Sequence, residues 1–273
     1  RQVMEDINLI HPEFVLFTGD LVNEGELESF ANQYWYGWTQ KLLSEFDIPV
    51  YVTSGNHDIG GWNQTPPPAG SARRNWWKYF GWNWLDSEDP NWLYHTQDYY
   101  FTYGNTIFIG LESYDNYDYW RLNIYGTTSF TDQQIAWLNS TLSLFPNYTK
   151  VLFHHYDFQD ELNLSALGID LALWGHIHSN NGSISNFPYN LATRSICDGN
   201  RAYRMVRVNN NQIIPYNTIY AGATGNNLSI QYFPSNYGVA DSIRATIINN
   251  QPLTFENAQI KFIMPSGMNG YRV

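Results

Sequence analysis

Four short apolar runs in this chain each stop at residues of the kind that bind metal ions, and this recurrence constrains the fold more than any other feature. Phe14-Val15-Leu16-Phe17 runs into Thr18-Gly19-Asp20, and Ile48-Pro49-Val50-Tyr51-Val52 leads to Ser54-Gly55-Asn56-His57-Asp58. Val151-Leu152-Phe153 is followed by His154-His155, and Ile169 to Trp174 by Gly175-His176-Ile177-His178. Runs of this length with little polar alternation suit strands buried on both faces of a parallel sheet. Sites in open α/β sheets form outside the carboxyl ends of the strands. The pattern therefore predicts Asp, Asn and His gathered at one edge of one sheet.

The segments between these runs fit an α/β chain. Apolar residues at positions 3, 4, 7 and 10 predict a helix that feeds the first strand across Pro12. A strand is expected before that helix, and the chain starts too late to contain it. Glu26 to Phe46 reads as an aromatic-rich amphipathic helix, and Thr131 to Leu144 as a helix entered through a capping box, Thr131-Asp132-Gln133-Gln134. Asp98 to Tyr103 and Thr106 to Leu111 flank Gly104-Asn105 as a β-hairpin. Residues 60–98 form a Gly/Pro/Trp-rich insertion with an extended Thr65-Pro66-Pro67-Pro68 and a short helix over Asn75 to Phe80, in the manner of a lid.

After Arg201 the pattern predicts strands over Tyr203 to Val208 and Ile213 to Tyr220, joined by a turn at Asn209-Asn210-Asn211. Gly222 to Asn227 reads as a linker, and Leu228 to Phe233, Ile243 to Ile248 and Ile260 to Met264 as strands of a small β-sandwich-like module. The expected organisation is one α/β domain over 1–220 and a β-rich module over 221–273. That module is short against the roughly 100 residues of a complete sandwich.

Composition excludes several classes. Aromatic residues make up 17% of the chain, which argues against disorder. A net charge of −11 disfavours a nucleic-acid polymer as partner, because phosphate backbones reward clustered cations. The single Cys197 rules out an intramolecular disulfide framework and a Cys-rich zinc site, and reads as a small buried hydrophobe. No stretch approaches the roughly 18 apolar residues of a membrane helix. The chain opens without Met or a signal-peptide pattern, as a processed or trimmed product would. Low Lys content, Asn/Tyr/Thr-rich loops and sequons such as Asn139-Ser140-Thr141 point to an extracellular, periplasmic or cell-surface protein.

The strand-end residues have the chemistry of a metal centre. A bridging carboxylate holds two divalent ions about 3.5–4 Å apart, and Asp20 is the candidate for that role. Asn56 supplies an amide oxygen and His154 and His176 supply imidazole nitrogens, enough with Asp20 to complete one cation's protein shell. His178, two residues beyond His176, faces the second cation.

Gly19-Asp20, Gly55-Asn56-His57-Asp58, His154 and Gly175-His176-Ile177-His178, in that order and each after an apolar strand, resemble the calcineurin-like metallophosphoesterases. The resemblance runs from residue 19 to residue 178 and implies a two-sheet α/β sandwich flanked by helices. It implies a dinuclear centre of Mn, Fe or Zn held by Asp20, Asn56, His154, His176 and His178, hydrolysing a small phosphoester by a metal-bridging hydroxide. It also implies that His57 approaches the phosphoryl group as an acid or electrostatic stabiliser, with Asp58 orienting it through a ring N–H. The family opens with an Asp-x-His that binds the first metal, and no such motif precedes Asp20; His11 has no Asp two residues before it. One cation's shell is thus complete, and the other keeps only Asp20 and His178.

Rival readings are a catalytically impaired cell-surface or structural protein that retains one metal, or a nucleotidase. His155, facing the opposite way from His154 along a strand, reads at most as a substrate contact, and His95 as structural. Arg73 and Arg74 suit a solvated helix start rather than a phosphate clamp. The tryptophans of the insertion suit lid packing.

Overall fold

The structure is a computed structural model that describes residues 1–22, 30–59, 76, 78–81, 98–113, 129–209, 211–255, 258–267 and 270. The first helix, α1 (Gln2–Ile10), buries Val3, Met4 and Ile7 on the face that their spacing predicts. It stops at His11, which adopts the left-handed conformation and donates its backbone N–H to the Ile7 carbonyl at 2.7 Å. Strand β1 (Val15–Phe17) then pairs in parallel with β2 (Val50–Val52), and α2 (Phe30–Leu43) lies on the crossover between them. A single turn, α3 (Asn56–Ile59), follows β2.

The main sheet has five strands in the order β3 (Tyr99–Tyr103), β4 (Thr106–Gly110), β5 (Thr149–Phe153), β6 (Leu171–Trp174) and β7 (Tyr189–Ala192). The β3–β4 pair is an antiparallel hairpin, and every later pairing is parallel. Between β4 and β5 the chain forms α4 (Asp132–Leu144), started by a reciprocal capping box between Thr131 and Gln134. Burial alternates along the strands. Ile107, Ile109, Leu152 and Ala172 pack with Leu138 and Leu142 of α4 in one apolar cluster. Phe108, Val151, Phe153, Leu171 and Leu191 belong to a second cluster, with α1, β2 and residues Tyr203, Ile213 and Ile219. Both faces are therefore buried, which explains why these strands read as unbroken apolar runs.

Strand β8 (Ala202–Asn209) pairs antiparallel with β9 (Gln212–Tyr220), with a register shift between Arg204 and Val206. A cavity of about 820 Å³ runs between this ribbon and the β1–β2 ribbon, lined on one side by Val15 and Phe17 and on the other by Ala202, Tyr203 and Val206. Asp20, His155, His176 and His178 line the same cavity.

The mixed α/β architecture with several sheets agrees with the sequence. Four local expectations need correction or limits. Strand β7 was not anticipated, because Tyr189-Asn190-Leu191-Ala192 is too short and too polar to read as a strand alone. Gly222 to Asn227 contains a short helix, α5 (Ala223–Asn227), whose first turn is held by Asp6 accepting from the Gly222 N–H at 2.8 Å. The C-terminal segments Leu228–Phe233 (β10) and Arg244–Asn249 (β11) pair antiparallel, whereas residues 260–264 form no strand, so no sandwich is assembled among the described residues. Cys197 is exposed rather than buried. Residue 76 and residues 78–80 of the insertion are helical. Arg73, Arg74, Trp62, Trp77, Trp82, Trp84, Trp92, His95 and the 65–68 segment lie outside the described residues.

Candidate metal centre

The loops that leave β1, β2, β5 and β6 meet at one point, and three glycines let them do so. A Cβ on Gly19 would lie 2.7 Å from His155 Nδ1, one on Gly55 would overlap the Asp20 carboxylate, and one on Gly175 would lie 2.9 Å from Thr18 Oγ1. Gly19 also has a φ of +94°, a conformation costly for any other residue. Backbone strain collects at the same place. Asp20, His176 and His178 are three of the five non-glycine residues with positive φ among the described residues.

Four acceptor atoms converge between these loops. His155 Nε2 lies 3.1 Å from Asp20 Oδ2, 3.1 Å from Asn56 Oδ1 and 3.3 Å from His176 Nδ1. His155 Nδ1 donates to the Thr18 carbonyl at 2.7 Å, so a neutral His155 ring would point a lone pair at the Asp20 and Asn56 oxygens. Such a set is stable only with a proton or a cation at its centre. Burial alone would raise the Asp20 carboxyl, but the hydrogen bond and charge of His155 hold it below its ordinary value. Burial would likewise depress the His155 imidazole, but its hydrogen bond to Asp20 and that residue's charge hold it above the ordinary range. A divalent cation can replace this proton, since Asp20, His155 and His176 offer atoms all within 4.8 Å of one another. The residues present fit the cations that the resemblance implies.

The geometry puts His155, not His154, in this cluster. Beyond β5 the side chains keep alternating, and His155 shares the face of Val151 and Phe153, where Asp20 lies. His154 follows Leu152 to the other face. It is buried, with Nδ1 2.7 Å from the Tyr156 carbonyl and its ring 5.0 Å from that of Phe158. Burial pushes its pKa down to about 4. The sequence signal for choosing between the two was their parity with the strand, readable only once the face covered by β1 was known. His176 is brought in, with Tyr156 packed against it at a ring separation of 4.1 Å. His178 lines the same cavity and places Nδ1 2.7 Å from Asp198 Oδ2.

Asn56 stands where expected, at the start of α3 and 4% exposed. His57 joins the cluster through its backbone N–H, which donates to Asp20 Oδ1 at 3.0 Å. Asp58 does not orient the His57 ring. Its Oδ1 accepts from the Val22 N–H at 3.0 Å and its Oδ2 from the Gly55 N–H at 2.7 Å, so this carboxyl ties the loop after β1 to the loop after β2. The Tyr36 hydroxyl donates to the Asp58 carbonyl, adding α2 to the clamp. Burial, with the charge of Asp20 adding to it, pushes the Asp58 carboxyl up to about 8.

Comparisons with known proteins bear on the family and the fold. The profile of the family described as calcineurin-like phosphoesterase matches residues 1–180. The uncharacterized protein YvnB of Bacillus subtilis strain 168 is 26% identical over 61% of this chain, and the chain spans 13% of that relative's length. A dimetal phosphatase from Danio rerio superposes with a TM-score of 0.51 at 16% identity, covering 80% of this chain and 86% of the other. A purple acid phosphatase from yellow lupin seeds superposes at 0.45 and 14% identity, over 70% of this chain and 38% of that one.

Two measurements check the local account. Asp58→Ala leaves the buried Val22 and Gly55 N–H groups without their acceptor, so it should lower stability by about 2–4 kcal/mol in chemical denaturation; a loss within error of zero contradicts the clamp. His154, neutral and buried, makes stability fall with acid. The unfolded chain takes up a proton near pH 6.5, and the folded one only near pH 4. The stability is complete above the first value and is lost as pH falls through the second, by about 3 kcal/mol in all. His155, whose imidazole is held high, acts with the opposite sign, so the comparison is with His154→Asn. That variant should be less acid-sensitive than wild type between pH 6.5 and 4, and equal sensitivity contradicts the assignment.

Proposed function

The chain belongs to the calcineurin-like phosphoesterase family, and on that premise we propose that it hydrolyses small phosphoesters with divalent cations held at the ends of β1, β2, β5 and β6. The observation that carries this reading is the convergence of Asp20 Oδ2, Asn56 Oδ1, His155 Nε2 and His176 Nδ1 on one point. Asp20, Asn56, His155 and His176 are the proposed ligands of one cation, and Asp20 with His178 contributes to a second. The cations, Mn, Fe or Zn, supply Lewis-acid polarisation of the phosphoryl group and acidify water towards neutrality.

The protein's own residues supply position and proton traffic. The backbone of His57 is fixed to Asp20, so its side chain starts from the edge of the centre. Its proposed role is to donate a proton to the leaving alkoxide and to stabilise phosphoryl charge. Asp58 acts on this reading as the clamp that holds Asn56 and His57 against the loop of Asp20. His154 acts as a buried support for the loop that carries His155. A net charge of −11 favours a small substrate over a nucleic-acid polymer. The domain proposed for this work is residues 1–220, with 221–273 as an appended module. Export to the cell exterior is proposed on composition alone; among the described residues no helix is long and apolar enough to cross a membrane.

The test pairs metal analysis with turnover of a generic phosphomonoester and a generic phosphodiester in added Mn. Asp20→Ala should lose bound metal and turnover together. His57→Ala should keep its metal and lose about 10²–10⁴-fold in kcat. Near-normal hydrolysis by Asp20→Ala would overturn the proposal.

A further inference from the structure

His178 differs from the other imidazoles of the centre in what holds it. His155 has its Nδ1 fixed by a backbone carbonyl, that of Thr18. His178 has its Nδ1 fixed by a side chain, with Asp198 Oδ2 at 2.7 Å. Asp198 comes from a separate part of the chain, the segment between β7 and β8. Within that segment the Ser195 hydroxyl accepts from the Cys197 N–H at 3.0 Å, a local turn that leads directly into Asp198. Ser195 and Cys197 line the same cavity as His178 and Asp20. Residues 193–197 therefore form part of the wall of the cavity that holds the centre, and the sequence pattern gave no reason to look there.

The chemistry of the pair is directional. An ionised carboxylate accepts hydrogen bonds and cannot donate, so the nitrogen facing it must carry the hydrogen. In a neutral ring the other nitrogen, Nε2, is then bare and free to ligate. A carboxylate on the remote nitrogen also makes an imidazole a stronger ligand and restricts its rotation. Restriction matters for His178, whose side chain is 48% exposed and has little packing to fix it. Its backbone sits at a φ of 52°, so the ring is set from one end by the turn and from the other by Asp198.

We propose that Asp198 is a positioning residue for His178, holding the ring in its Nδ1–H form so that Nε2 is the atom offered to the second cation. This inference rests on the proposed metal centre and adds to it the residue that orders its most exposed ligand. The side chain of Asp198 is itself 56% exposed, so its replacement removes the contact without opening the core.

The experiment has two readouts on the full chain. A long-range proton–nitrogen correlation spectrum of the metal-free protein, recorded above the ordinary imidazole titration range, reports the tautomer of His178 directly. Mn²⁺ affinity is then measured by titration calorimetry for wild type, Asp198→Asn and Asp198→Ala. The Nδ1–H form is expected in wild type. Asp198→Ala should weaken Mn²⁺ binding about 10–100-fold, and Asp198→Asn, which keeps an acceptor oxygen, should weaken it less. The melting temperature of each metal-free variant separates lost ligation from lost folding, and if Asp198→Ala unfolds, a measurable loss in Asp198→Asn supports the inference. An Nε2–H tautomer in wild type, or unchanged Mn²⁺ affinity in both variants, overturns it. Wild-type protein that binds no Mn²⁺ overturns the metal centre itself, and this inference with it.

Discussion

The contact between Asp20 and His155 joins the two halves of this protein's functional end. Asp20 belongs to the loop after β1, in the two-stranded ribbon, and His155 to the loop after β5, in the main sheet. Their side chains meet at 3.1 Å while His155 also holds the Thr18 carbonyl. Everything else at the site is arranged so that this approach is possible. Gly19, Gly55 and Gly175 remove the side chains that would block it, and Asp58 draws the loop after β2 onto the loop after β1.

A half-buried carboxylate against a buried imidazole is a costly pair unless each satisfies the other. Here the pairing explains the opposite displacement of the two groups, the carboxyl held low and the imidazole held high. The left-handed backbone at Asp20 and His176 lies beside this pair. Strain of this kind persists where surrounding structure over-determines it, and such places are typically functional. The donor set of carboxylate and amide oxygens and imidazole nitrogens suits a divalent cation.

Much of this was legible in the sequence, for physical reasons that can be named. The strands β5 and β6 announced themselves because both faces of each are covered, leaving unbroken apolar runs, and the half-buried β1 and β2 read as strands from the same short apolar pattern. Asp20, Asn56 and His176 followed from those strand ends. The choice of His154 over His155 was not legible, because adjacent residues on a strand point to opposite faces and the sequence does not say which face β1 covers. Asp58 was misread because its neighbour His57 suggested a ring partner, whereas its oxygens satisfy backbone N–H groups, which have no sequence signature. Asp198 escaped notice for another reason: its partner lies across β7, a strand too short and polar to stand out.

The most direct test of this account is which histidine of the His154-His155 pair carries the metal. Bound metal per chain, measured by elemental analysis after dialysis in Mn²⁺, should collapse in His155→Ala and stay near the wild-type value in His154→Asn, with both proteins folded. Metal retained by His155→Ala and lost by His154→Asn would contradict it.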